Sequence, residues 1–106
     1  MTKTAQPIPP ALPLEVHSFA AEQAVAAYLP SVLEMTRRIF ADAQLSVVVE
    51  DDPEIPHDRH IVLIVKAKGL DVAQALAARW EWHRELFACC PAPLVCVFRL
   101  GLELGR

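Results

Sequence analysis

One helical run constrains this chain more than anything else in it: Val72-Ala-Gln-Ala-Leu-Ala-Ala-Arg-Trp-Glu-Trp-His-Arg-Glu-Leu-Phe87, set between two segments rich in β-branched residues. At about 100° per residue, Val72, Ala75, Leu76, Trp80, Trp82, Leu86 and Phe87 fall into one broad apolar stripe, with Gln74, Glu81 and Glu85 opposite. A helix between two strands acts as a crossover, which limits the ways the strands can join. Arg79 and His83, spaced i, i+4, lie on the apolar stripe and are expected to point at the core. A buried cation needs acceptors, so Arg79 is expected to meet a carboxylate of residues 50–58 or backbone carbonyls.

The strand signals flank that run. Leu45 to Asp51 alternates, with Leu45, Val47 and Val49 on one side, and Arg59 to Lys68 is a second strand. Between them, Asp51-Asp52-Pro53-Glu54-Ile55-Pro56-His57-Asp58 is turn chemistry with two prolines. Gly69 ends the second strand, and Asp71 is placed to cap the helix. Pro91 and Pro93 close that helix, and a third strand is expected over Leu94–Leu100. Upstream, Val25, Tyr28, Leu29, Val32, Leu33, Met35, Thr36, Ile39 and Phe40 share one face. After an N-cap at Ser18 they predict one long helix, bent at Pro30. Residues 1–14 carry Pro7, Pro9, Pro10 and Pro13 and are expected to be an extended or disordered arm. The remaining 15–106 are expected to form a single domain.

The order α-β-β-α-β predicts an α+β fold of two layers: a three-stranded sheet, spatial order 2-1-3, with two helices on one face. The other face would then carry Val48, Val62, Ile64, Val95 and Val97. Five aliphatics are too many for open solvent, so the arm, a second copy or another protein is expected to cover them. Trp80 and Trp82, at the rim of the stripe, join these five as candidate contact residues.

Other classes find less support. The net charge is −3 and no basic face is visible, so a nucleic-acid partner is not expected. A type II K-homology domain shares the element order but requires a GXXG clamp, which is missing. No apolar run reaches the ~18 residues of a membrane span, and no secretory signal is seen, so a cytoplasmic protein is expected. Cys89, Cys90 and Cys96 include no C-x-x-C pair and read as reduced thiols, with Cys96 a small core residue. No cofactor is expected: three glycines build no phosphate cradle. His57, Asp58 and His60 are ligand types for a divalent metal, but their spacing fits a solvated hairpin loop better. For catalysis the candidates are His83 and Arg79, with Glu50 or Asp52 orienting the imidazole. A structural clamp is the favoured reading of that pair.

Asp52-Pro53-Glu54-Ile55, Trp80-Glu81-Trp82 and the cysteine within Leu94-Val-Cys-Val97 resemble a small bacterial family of uncharacterised proteins. The resemblance covers roughly residues 25–100. It implies half of a two-gene unit with an antitoxin-like role, and it brings no catalytic residues. The expectation is therefore a non-enzymatic interaction module, a homo- or hetero-oligomer with a protein partner. The alternative is a small enzyme or ligand-binding domain using Arg79, His83 and the acidic 50–58 loop.

Overall fold

A computed structural model describes residues 12–105 and shows an α+β fold built on a mixed three-stranded sheet. The elements are α1 (Leu14–Glu22), α2 (Leu29–Ile39), β1 (Gln44–Asp51), β2 (Arg59–Lys68), α3 (Val72–Cys89), the short α4 (Ala92–Val95) and β3 (Phe98–Gly105). Of the arm expected over residues 1–14, the first eleven lie outside the described residues. Leu12 packs against the core, and Leu14 already belongs to α1.

The long helix expected through Pro30 is two helices, and the break precedes the proline. At the end of α1, Ala24 N–H bonds to Ala21 O (3.2 Å) and Val25 N–H bonds back to Ala20 O (2.9 Å), with Ala24 left-handed at φ 61°. This is the C-terminal cap that a glycine normally makes, closed by an apolar residue that turns inward. Val25 is that residue, and it is fully buried. The apolar stripe kept its phase across the break because Val25 sits in the core as the joint between the helices. Pro30 falls in the first turn of α2, where its missing N–H costs nothing.

β1 and β2 form the expected antiparallel hairpin, from Gln44↔Lys66 to Asp51↔Arg59. Gly69, at φ 83°, turns the chain out of β2, and Asp71 and Gln74 form a reciprocal capping box at the start of α3. The third strand begins later than expected. Pro93 lies in the first turn of α4 rather than closing a loop, so Leu94 and Val95 are helical and pairing starts at Phe98.

The strand order is β1-β2-β3, not 2-1-3. β3 runs parallel to β2, from Ile61↔Phe98 to Lys68↔Gly105, so α3 is the crossover between adjacent parallel strands. The physical reason lies in β2 itself. Ile61-Val-Leu-Ile-Val65 is apolar at every position, as a strand paired on both edges can be, whereas β1 interposes Gln44, Ser46 and Glu50. Val47, Ile61, Leu63, Val65, Phe98 and Leu100 join Val16, Phe19, Val32, Met35, Trp82 and Leu86 in one core cluster, which puts the helices on a common face.

The opposite face also differs from expectation. Val48, Val62 and Ile64 lie on it and are half-buried. Val95 instead sits buried in α4, and Val97 lies in the turn that follows, its carbonyl accepting the Ile61 N–H at 2.8 Å. By register, Gln44, Ser46, Glu50, Lys66, Arg99 and Glu103 surround the three aliphatics, so the face is mostly polar. Gly101 leaves a shallow floor there, 3.5 Å from Val62 to an added Cβ.

Candidate interaction surface

The apolar residues of α3 divide into two sectors. The inner one is Ala75, Trp82 and Leu86, all buried, with Ala78 and Cys89 packed beside them. Small residues at 75 and 78 let the helix approach its neighbours, and Trp82, with no exposed surface, fills the space beyond them. Its indole N–H donates to Thr36 Oγ1 at 2.8 Å, and that hydroxyl in turn donates to the Val32 carbonyl at 2.7 Å. A buried Trp and a buried Thr thus satisfy each other across α2 and α3. Trp82 is a core residue, not a contact residue at the rim.

The outer sector is Val72, Leu76, Trp80 and Phe87, exposed by 68%, 55%, 70% and 60%. These four lie within an arc of about 80° and along about 22 Å of helix. Arg79 stands on the border of this sector, exposed and without a hydrogen bond or ion pair among the described residues. The expectation that it is buried against the acidic loop is overturned. Apolar residues occupy so much of this helix that the sequence could not show which sector meets the core, and the broad stripe was centred between the two. His83 is half-buried, its ring edge-on to Trp82 (centroids 5.1 Å apart, planes at 85°). Glu81 and Glu85 are half-buried rather than solvated, and Glu85 pairs with Arg38 of α2 at 3.2 Å.

The acidic hairpin is closed on itself and on β3. Asp52 Oδ1 accepts the backbone N–H groups of Glu54 (2.8 Å) and Ile55 (3.1 Å), and Asp52 N–H donates to the Asp58 carbonyl (2.7 Å). Arg59 Nε donates to Asp51 Oδ1 at 2.6 Å, which raises the guanidinium pKa above its ordinary value through that hydrogen bond and the charge of Asp51. His60 Nε2 lies 3.4 Å from Asp58, and Arg99 reaches Asp52 and Asp58 at 4.0 and 3.9 Å. Arg59 and Arg99, both about half exposed, are thus the cations that meet the acidic hairpin in place of Arg79, and sequence reasoning missed Arg99. No spacing rule links position 99 to the hairpin; only the parallel β2–β3 register brings it there. Glu50 is exposed on the polar sheet face opposite His60. His57, at φ 65°, is exposed at the tip.

Between this hairpin and the end of α1 runs a groove of about 710 Å³ lined by Phe19, Glu22, Gln23 and the loop. Neither Arg79 nor His83 lines it. Among the described residues, no group of three or more His, Cys, Asp or Glu is arranged to hold a metal ion, so His57, Asp58 and His60 do not form one. Cys96 is exposed rather than in the core, Cys89 is half-buried and Cys90 is buried, all three as free thiols. No helix among the described residues is long and apolar enough to cross a membrane.

No protein-family model, curated protein or solved structure matches the chain.

Proposed function

We propose that the chain is a small non-enzymatic interaction module that docks on protein through the outer sector of α3. The observation that carries this reading is the exposure of Val72, Leu76, Trp80 and Phe87 on one helical stripe, beside the sector of Ala75, Trp82 and Leu86 that packs into the core. Together they offer roughly 500 Å² of apolar surface, in the range where the largest patch of a monomer is often functional. Trp is the residue type most enriched among energetic anchors of interfaces, and Arg follows closely; Trp80 and Arg79 stand adjacent here. The three aliphatics left on the sheet face form a smaller, half-buried patch and take second place. A catalytic reading would need Arg79 and His83 to meet the acidic hairpin, and no hydrogen bond or ion pair joins them.

Photo-cross-linking in cells tests this. A benzophenone side chain placed at Leu76 is expected to give covalent adducts, whereas one at Ser46, exposed on the sheet face, gives none. Adducts from 46 alone, or from neither position, overturn the assignment of the surface.

A further inference from the structure

We infer that the partner on α3 is a second copy of this chain, with the two α3 helices antiparallel about a twofold axis between Arg79 and Trp80. The inference rests on the docking reading above and adds the identity and register of the occupant. In such a pair, residues equidistant from the axis face each other, and every contact is made twice. The outer sector is symmetric in this sense. Val72 faces Phe87 of the second copy, Leu76 faces His83, and the two Trp80 side chains meet across the axis.

Each of those pairings is chemically sound. Val72 and Phe87 are both more than half exposed in the single chain and bury each other. Leu76 covers the outer side of the half-buried His83 ring, whose neighbour within the chain is Trp82. Arg79 lies on the other flank of the stripe, about 100° from Trp80, and is exposed in the single chain. Aromatic contact between the two Trp80 rings, each 70% exposed in the single chain, favours this register.

The area is of the right order. Two patches of roughly 500 Å² bury about 1,000 Å² in total, the level at which specific interfaces begin. The two Arg84 would stand about 13 Å apart along the helices, beyond the screening length at physiological salt, whereas the two Arg79 come close to the axis on one flank and must keep their guanidinium groups in solvent. The small exposed Ala73 and Ala77 flank the stripe and let the backbones close to helix-packing distance.

The test is the mass of the purified full chain in solution, followed by light scattering over a dilution series. Twice the 11.7 kDa chain mass is expected at high concentration. Trp80→Asp and Leu76→Glu are each expected to halve it with an unchanged circular dichroism spectrum, because both positions are exposed in the folded monomer. Combining L76E with H83K is expected to restore the dimer, since the two new charges face one another across the axis. A chain that stays at monomer mass throughout overturns the second copy, and so does a dimer that W80D and L76E leave intact. Single variants that dissociate with no recovery in the double variant overturn the antiparallel register. Monomer mass together with adducts from position 76 would remove the second copy and leave the docking reading standing.

Discussion

Thr36 and Trp82 make a buried polar contact between α2 and α3, distinct from the more exposed Arg38–Glu85 ion pair that joins the same helices. The Thr hydroxyl does two jobs: it accepts the indole N–H and donates to the Val32 carbonyl. Replacing it with Val keeps the shape and strands the indole N–H, which should cost about 1–3 kcal/mol. Trp82→Phe in addition should recover part of that loss at the polar contact while adding a cavity cost. Urea denaturation of the two single variants and the double variant gives the coupling directly. Cys90 illustrates the opposite case, a polar atom held without charge. Burial, then the neighbouring Cys89, pushes its thiol pKa up. The folded state therefore holds this proton more tightly than the unfolded state does. The associated stability is complete below the ordinary thiol range and is lost as pH rises through the higher folded value. Stability measured against alkaline pH should fall less steeply in Cys90→Ala than in the parent, and Cys96, which is exposed, should react with iodoacetamide first.

At the scale of elements, the joint between α1 and α2 stores local cost. Ala24 holds a left-handed conformation in which its Cβ is disfavoured by roughly 1–2 kcal/mol. Ala24→Gly should relieve most of it, offset by the greater freedom of glycine when unfolded, for a net gain of about 0.5–1 kcal/mol by thermal or urea unfolding. The same residue explains why the break was hidden in the sequence. A helix ending of this type is usually announced by glycine, and Ala24 reads as a helix former. The strands of the hairpin were legible to the residue at β2, because β-branched runs end in Gly69 and begin after a proline-rich turn. Asp71 was legible as a cap for the same kind of local reason. The phase of α3 was not legible, since a helix apolar on two sectors carries no mark of which one is inside. Nor was the start of β3, because Pro93 suits the first turn of a helix as well as it ends one.

At the scale of the molecule, the coarse class followed from the order of elements, but the strand order did not. Choosing between 2-1-3 and β1-β2-β3 turned on which strand is paired at both edges, and the unbroken apolar run of Ile61 to Val65 was the usable signal. Arg99 was out of reach for a related reason: its partners Asp52 and Asp58 become neighbours only once β3 has docked beside β2. That dependence also has a place in time. The β1–β2 hairpin closes across a short turn, whereas the β2–β3 pair must first bring its ends together around all of α3 and α4. Closing the longer loop costs more chain entropy before any contact repays it, so it is expected to come late on the folding path. Stopped-flow chevrons should then show Val47→Ala, in β1, slowing refolding, and Leu100→Ala, in β3, mainly speeding unfolding. Until that last strand arrives, one edge of the most apolar strand in the protein stands open to any other chain that can pair with it, and crowding or slow synthesis at that stage favours aggregation over completion.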